Sequence, residues 1–265
     1  MLLHFFQEHY YLLLIFLFFM GLLAGFVDAI AGGGGLVSIP ALALTGMPIV
    51  MILGTNKFQS SVGTSITVYK YYKDGLINFI TVYRGLIFGF LGALLGAITI
   101  NYVPNNFMRL IIPFLMLGVF LFNVFNKNLG IKPGRKRMND ILFFSVFGFI
   151  FGFYDAFFGP GVGNFWIITI VFFLGYTFLE ASGYAKVLNL KSNIFSLVVF
   201  LFCGHVDFIF GTIMACGQFL GGYLGAKAVI FKGSKFVRPF FMTVVLINVI
   251  VYFYTLLLNQ PMLGG

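Results

Sequence analysis

Four long apolar runs restrict what this chain can fold into. They cover residues 12–30, 77–100, 107–125 and 237–258, and each contains at most one charged residue. About 20 apolar residues in a helix span the hydrocarbon core of a bilayer. Hydrophobic residues make up 60% of the 265 residues and charged residues only 9%, which the surface of a soluble domain cannot accommodate. The sequence therefore predicts an all-α polytopic membrane protein.

The charge and the potential ligand residues exclude several other classes. The net charge of +9 comes from basic residues that lie mainly in short loops between apolar runs, as the positive-inside rule expects, so no nucleic-acid partner is predicted. The two cysteines and three histidines are scattered rather than grouped at ligand spacing, so we expect no metal site and no cofactor. The N-terminal run lacks a basic flank and a cleavage site, which favours a retained helix over a signal peptide.

An internal repeat divides the chain into two halves. The segment 25–29 (GFVDA) returns 127 residues later as 152–156 (GFYDA), and after a slip of two residues Lys57 matches Lys186 at a displacement of 129. Glycines continue this register, with Gly92 matching Gly221. We therefore predict a first transmembrane repeat at 1–126, a basic linker at 127–140 and a second transmembrane repeat at 141–265.

Each half contains five apolar segments. The predicted segments are 12–30, 36–46, 49–72, 77–100, 107–125, 141–158, 163–175, 178–202, 208–227 and 237–258. The second segment of each half is too short for an ordinary spanning helix and follows a glycine cluster. Such short segments are typical of the broken or re-entrant helices that line midplane binding sites in repeat-built transporters.

Loop charges predict the orientation. The linker with five basic residues, the turn at 70–84 and the loop at 227–238 should be cytoplasmic, whereas the turn at 203–207, without Lys or Arg, should be outside. Equivalent loops of the two halves then lie on opposite sides. The prediction is two inverted-topology repeats with eight full transmembrane helices plus two short segments, up to ten crossings, in the cell inner membrane.

The glycine clusters are candidate anion sites. Unwound backbone inside a membrane is tolerated where it is buried by protein or lines a cavity, and its free N–H groups at the start of a half-helix attract anions. Close helix packing is the alternative for such glycines. The candidate substrate-binding glycines are Gly33, Gly34, Gly35, Gly159 and Gly161.

Two intramembrane lysines head polar stripes at helical spacing. An ionisable group at membrane depth indicates function. The stripes add Ser60 and Thr64 to Lys57, and Asn189 and Asn193 to Lys186, and further polar residues are near them: Asn56, Gln59 and Lys191. Cations with amide and hydroxyl donors suit a small oxyanion. Alternatively, each lysine pairs with Asp28 or Asp155 or extends to the interface. The two aspartates could also carry a coupling proton or cap helix ends.

Three motifs resemble those of the TauE/SafE family, the sulfite-exporter-like permeases, and within it the YfcA-like branch. They are 25–40 (GFVDAIAGGGGLVSIP), 53–57 (LGTNK) and 152–161 (GFYDAFFGPG). The resemblance covers nearly the whole chain. It implies a cytoplasmic-membrane transporter whose cargo is sulfite, sulfoacetate or another organosulfonate, usually exported.

We accordingly expect a secondary transporter, more specifically an exporter, of a small sulfur-containing anion, working by alternating access around a midplane site. An anion channel and a carrier for a non-sulfur anion stay open as alternatives. An intramembrane enzyme is disfavoured because the predicted helices contain no nucleophile–base pair or metal cluster. The expected partners are a small-molecule anion and the lipid bilayer, and a homodimer is left open.

Overall fold

The structure is a computed structural model that describes residues 10–99, 130–157 and 162–257, together with positions 114, 117, 118, 121 and 125. This part of the chain is helical and contains no β-strand. The helices are α1 (Tyr10–Ala31), α2 (Gly35–Ala43), α3 (Ile49–Lys73), α4 (Phe79–Thr99), α5 (Asp140–Phe157), α6 (Val162–Thr169), α7 (Phe178–Phe202), α8 (Phe208–Lys232) and α9 (Ser234–Leu257). A π-helical segment, Ile170–Leu174, continues α6.

The predicted segments correspond closely to these helices, with one error. The loop predicted at 227–238 is wrong, because α8 continues to Lys232 and α9 starts at Ser234. Lysine is a good helix former, and its long side chain can reach the polar interface from within a helix, so Lys232 does not need a loop. Gly233, with φ of 67°, makes the whole connection. The predicted segment 107–125 lies outside the described residues except for five isolated helical positions.

Two short helices follow the glycine-rich parts of the chain. The α1 helix stops where Gly32 adopts φ of 80°, and α2 then runs for only 9 residues. The α6 helix has 8 residues and is buried along nearly its whole length, with Trp166 packed edge-on against Phe151 of α5 at 4.8 Å between ring centroids. The short helical segments expected after both glycine clusters are therefore present.

Glycines allow two pairs of helices to pack with their backbones in contact. A side chain at Gly221 of α8 would overlap the carbonyl oxygen of Leu22 in α1, and a side chain at Gly92 of α4 would overlap that of Phe149 in α5. Small residues permit this close approach in membrane helices. The two most extensive helix interfaces in the described structure are these, α1 with α8 and α4 with α5, and α3 packs against both α8 and α7.

Many outward-facing side chains on the helices are large and apolar. Phe19 is 59% exposed, Ile87 55% and Ile250 57%. Among the described residues, α1, α7 and α8 are long and apolar enough to cross a membrane on length and composition. So much exposed apolar surface is unfavourable in water and expected in lipid, as for a multi-pass membrane protein.

The connection between the halves of the chain is held against the second half. Gly134 N–H donates to the carbonyl oxygen of Gly175 at 2.7 Å, and Arg137 N–H donates to that of Phe173 at 2.7 Å. Nearby, α7 begins with a capping box in which Thr177 and Glu180 satisfy each other's backbone N–H groups. These bonds fix the start of the helix that carries Lys186.

Candidate functional site

Polar side chains from several helices meet inside the bundle. Lys57 and Lys186 each lie eight residues after the first residue of their helix, Ile49 of α3 and Phe178 of α7. Eight residues correspond to about 12 Å along a helix axis. Lys186 is completely buried and Lys57 is partly buried. Both amines therefore lie at a depth where a charge needs a partner.

Asp28, near the end of α1, supplies that partner to Lys186. The Lys186 Nζ atom lies 2.9 Å from Asp28 Oδ2, although the angles do not satisfy a hydrogen bond. Two further groups face the same carboxylate: Gly34 N–H donates to Oδ1 at 3.4 Å and Thr64 O–H donates to Oδ2 at 3.5 Å. Among the roles that the sequence left open for Asp28, the structure shows the ion pair with a lysine. The start of α2 and the buried ammonium thus share one carboxylate of the protein itself.

A chain of polar contacts extends from this carboxylate to the second lysine. Lys57 Nζ donates to Asn193 Oδ1 at 3.2 Å, and Asn193 Nδ2 lies 3.5 Å from Thr64 Oγ1. The contacts at 3.5 Å are at the long limit of hydrogen bonding and are correspondingly weak. The two lysines, which come from different halves of the chain, are therefore joined through Asn193, Thr64 and Asp28.

Gly32, which precedes α2, comes into direct contact with Gly163 in the first turn of α6, beside this network. A Cβ atom at Gly32 would lie 3.1 Å from Gly163 Cα, and one at Gly163 would lie 2.8 Å from Asn189 Nδ2. The N-terminal ends of α2 and α6 therefore start from one place in the interior. Gly33, Gly34 and Gly35 are here, whereas Gly159 and Gly161 lie outside the described residues.

Several buried polar atoms at this place have no hydrogen-bond partner among the described residues. They are Lys186 Nζ, Asn189 Oδ1 and both side-chain amide atoms of Asn164. Asn164 is 0% exposed and follows Gly163 directly. An unsatisfied buried polar group costs about 1–3 kcal/mol. These unused donors and acceptors are groups with which a polar ligand or ordered water can form hydrogen bonds.

Two of the three described cluster glycines, Gly33 and Gly34, face protein at close range. A Cβ atom at Gly33 would lie 2.7 Å from Val244 Cγ1 of α9, and one at Gly34 would lie 2.7 Å from Asp28 Cβ. A Cβ atom at Gly35 would meet nothing closer than 3.7 Å. Gly33 and Gly34 therefore allow α2 to pack closely, and the candidate cradle is formed by their backbone and not by the space of their missing side chains.

Asn56, another predicted site residue, holds α2 to α3. Asn56 Oδ1 accepts hydrogen bonds from Ser38 Oγ at 2.6 Å and from Gln59 Nε2 at 3.0 Å. Ser60 is buried on the same helix. The sequence pattern around the lysines does not include Ser38 or Asn164. Both could have been predicted as site residues, since each is a polar residue within the first turn after a glycine cluster.

Asp155 has a different environment from Asp28. The charges of Lys57 and Lys191 act on its carboxylate, but in the described part of the chain no cation lies within 4.0 Å of it. Asp28 therefore has a close counter-ion and Asp155 has two more distant ones. No group of His, Cys, Asp and Glu residues in the described regions could hold a metal ion.

Comparison with known proteins identifies the family. A family model described as sulfite exporter TauE/SafE matches residues 17–252. The chain belongs to the TauE/SafE family. It is 40% identical over 227 residues to a probable membrane transporter protein of Haemophilus influenzae, covering 86% of this chain and 89% of that protein. It is 38% identical over 234 residues to the probable membrane transporter protein YfcA of Escherichia coli K12, covering 88% and 87% respectively.

A third relative, the probable membrane transporter protein ORF9 of a Sinorhizobium species, is 36% identical over 238 residues, or 90% of this chain and 91% of that protein. No solved structure matches the chain significantly. The family and these relatives are described as membrane transporters and not as enzymes, which confirms the assignment to transport rather than catalysis. The TauE/SafE chain is thus a multi-pass membrane transporter.

Proposed function

We propose that this TauE/SafE protein is a secondary transporter of the cell inner membrane that exports a small sulfur-containing anion, such as sulfite, sulfoacetate or another organosulfonate. The observation that carries the proposal is Lys186, a completely buried ammonium whose partner Asp28 faces the start of α2, with unused hydrogen-bonding groups among its described neighbours. A buried cation with free N–H donors is suited to an oxyanion, because charge-assisted hydrogen bonds are the stronger ones.

The Asp28 carboxylate supports a mechanism of exchange. It lies where an anionic substrate would be attracted, 2.9 Å from Lys186 Nζ and facing the start of α2. A carboxylate attached to the protein keeps the buried ammonium neutralised when no substrate is bound. The substrate anion displaces Asp28 from Lys186, and a proton taken up by Asp28 removes the repulsion between the two anions. Proton uptake on Asp28 would couple anion movement to the proton gradient.

The proposed architecture is a pair of inverted repeats, 1–126 and 141–265, connected by the linker 127–140. Its support is that the same contacts occur twice: Gly221 against Leu22 is repeated by Gly92 against Phe149, at displacements of 129 and 127 residues. The crosswise relation has a weaker counterpart, since Asp28 pairs with Lys186 at 2.9 Å while the charge of Lys57 acts on Asp155 from beyond 4.0 Å. We propose eight full crossings, two short ones in α2 and α6, and a site between the repeats. Exposed apolar helix faces leave room for a homodimer in the membrane.

A binding and flux experiment tests this function. Purified protein is screened by thermal shift with sulfite, sulfate, sulfoacetate, taurine, thiosulfate and acetate, because a ligand stabilises the state that it binds, by about 2.7 kcal/mol at 100 times Kd. The stabilising anion is then loaded into liposomes that contain the protein, and its release is followed with and without a pH gradient.

We expect a sulfur oxyanion to stabilise the protein and to leave the liposomes with saturable kinetics. Flux that rises linearly with concentration would favour a channel. Stabilisation by acetate alone would contradict the proposed cargo. The double variant Lys186→Gln with Asp28→Asn is the control: it should fold but should not bind the anion, whereas binding by this variant would contradict the site.

A further inference from the structure

A cavity lies between α4 and α7, and its lining includes none of the residues that connect Lys57 to Lys186. Its volume is about 150 Å³, room for several waters or one small anion, since a single water needs about 15 Å³. The lining includes Lys191, Ser192 and Ser196 on α7 and the apolar side chains of Phe90, Ala93 and Phe195.

Lys191 gives this cavity a positive charge. Within the described part of the chain its ammonium takes part in no hydrogen bond, and the charge of Asp155 acts on it from beyond 4.0 Å. The Lys191 ammonium fits against α4 because residue 89 is glycine, and a side chain at that position would overlap Nζ. One cation, two hydroxyl groups and aromatic walls together suit an anion with a small apolar body.

The corresponding region of the other half is closed. A displacement of 129 residues relates Ala93 to Gly222, Ser192 to Gly63 and Ser196 to Thr67. A Cβ atom at Gly222 would lie 2.7 Å from Gly63 O and 2.9 Å from Thr67 Oγ1, so α8 and α3 are in direct contact where α4 and α7 enclose a cavity. The two matched interfaces thus have different spacings in the same structure.

The position of the cavity indicates which side it serves. Lys191 is 13 residues after the first residue of α7, at about the midpoint of this helix of 25 residues, and Val199 and Phe200, close to its end, also line the cavity. The end of α7 adjoins the turn 203–207, which the loop charges assign to the outside. The closed α3–α8 interface at Thr67 lies near Lys70 and Lys73, toward the predicted cytoplasmic side.

We propose that the α4–α7 cavity is an outer anion vestibule, in which Lys191, Ser192 and Ser196 bind the transported sulfonate or similar oxyanion between the central site and the outside. The inference rests on the proposed function. In the conformation described, the vestibule is open and its counterpart between α3 and α8 is closed. Transport requires the two interfaces to exchange these arrangements. Lys191 has no equivalent in the first half, because Val62 stands at the matching position of the α3–α8 interface.

Cysteine labelling from the outside tests the vestibule. Ser196→Cys and its matched control Thr67→Cys are made in a Cys203→Ala, Cys216→Ala background, because both native cysteines are exposed. A membrane-impermeant maleimide is applied to spheroplasts, and native Cys203 in a Cys216→Ala protein gives the rate for an exposed site. We expect Ser196→Cys to react within about 10-fold of Cys203, and Thr67→Cys to react at least about 100-fold more slowly. If Thr67→Cys does not accumulate in the membrane, Ile66→Cys, the mate of Phe195, replaces it.

Protection by an anion tests the chemistry of the vestibule. Sulfoacetate should slow labelling of Ser196→Cys at least threefold, and this protection should disappear with Lys191→Gln. An unreactive Ser196→Cys, equal rates at positions 196 and 67, or undiminished protection in the Lys191→Gln variant would each overturn the vestibule. Flux of the unmodified chain in liposomes separates the two proposals. Flux with an unreactive Ser196→Cys overturns the vestibule alone, whereas a reactive, protected cysteine in a chain without flux overturns transport alone.

Discussion

The buried ion pair between Lys186 and Asp28 makes a quantitative prediction about stability. Lys186→Gln removes the charge from a completely buried side chain and leaves the Asp28 carboxylate, which is 15% exposed. Its remaining hydrogen-bond donors among the described residues are the Gly34 N–H at 3.4 Å and the Thr64 hydroxyl at 3.5 Å. Removing one member of a buried ion pair costs about 3–5 kcal/mol. Because Asp28 keeps some contact with its surroundings, we expect the lower end, about 3 kcal/mol.

This cost should appear as a lower Tm in detergent. For a chain of this size about 1 kcal/mol corresponds to about 2–4 °C, so Lys186→Gln should lower the Tm by about 6–12 °C. Adding Asp28→Asn removes the uncompensated charge, and the double variant should recover at least half of the loss. The surface pair Lys70–Asp74, at 3.0 Å on α3, gives the control. An exposed pair of this spacing contributes about 0.3–0.5 kcal/mol, so Lys70→Gln should lower the Tm by no more than about 2 °C.

Two results would refute the reasoning. If Lys186→Gln lowers the Tm no more than Lys70→Gln, the Lys186–Asp28 contact does not neutralise a buried charge. If the double variant is no more stable than Lys186→Gln alone, the loss arises from packing of the lysine side chain and not from the remaining carboxylate. Substrate binding by the same double variant then reports separately on the anion role of Lys186, because folding and binding are measured on one protein.

Three further predictions use other parts of the structure. Reporter fusions at Pro133 should read as cytoplasmic and fusions at Gly204 as periplasmic, and the same side for both would contradict the inverted orientation. Gly221→Leu should prevent accumulation of folded protein, measured by fluorescence-detected size exclusion, because its side chain would overlap the backbone of α1; wild-type accumulation would count against the close helix contact. Lys57→Gln, which weakens a hydrogen bond of 3.2 Å to Asn193, should reduce anion affinity at least 10-fold while lowering the Tm less than Lys186→Gln does; unchanged affinity would remove Lys57 from the site.

The helices were predictable from the sequence to within a few residues at most ends. The segment predicted at 178–202 coincides with α7, and the short helices after the glycine clusters appear as α2 and α6. Apolar length decides these features, because the thickness of the bilayer imposes it on every spanning segment. The single-residue connection at Gly233 was not predictable from charge, since a lysine can remain helical while its amine reaches the interface.

The sequence was sufficient to predict which residues are candidates for the site, but not which of them contact each other. Lys186 and Asp28 were both candidates, and a structural pair between a lysine and an aspartate was one of the alternatives considered. Which lysine meets which aspartate depends on how the two halves of the chain pack, and no spacing within one helix determines it. The directions in which Gly33 and Gly34 face, toward Val244 and Asp28, depend on tertiary packing in the same way.

Matched parts of the two halves have different contacts, both at the ion pair and at the vestibule. Asp28 lies 2.9 Å from Lys186, whereas Asp155 has no cation within 4.0 Å among the described residues, although the charge of Lys57 acts on it. The two matched helix interfaces are unequal as well: α3 and α8 are in contact, whereas a cavity separates part of α4 from α7. If matched parts of two inverted repeats exchange conformations, opening of the α3–α8 interface should accompany separation of Asp28 from Lys186 and approach of Asp155 to Lys57. A substrate anion that displaces Asp28 would then favour this exchange, because it stabilises the lysine while the old ion pair is broken.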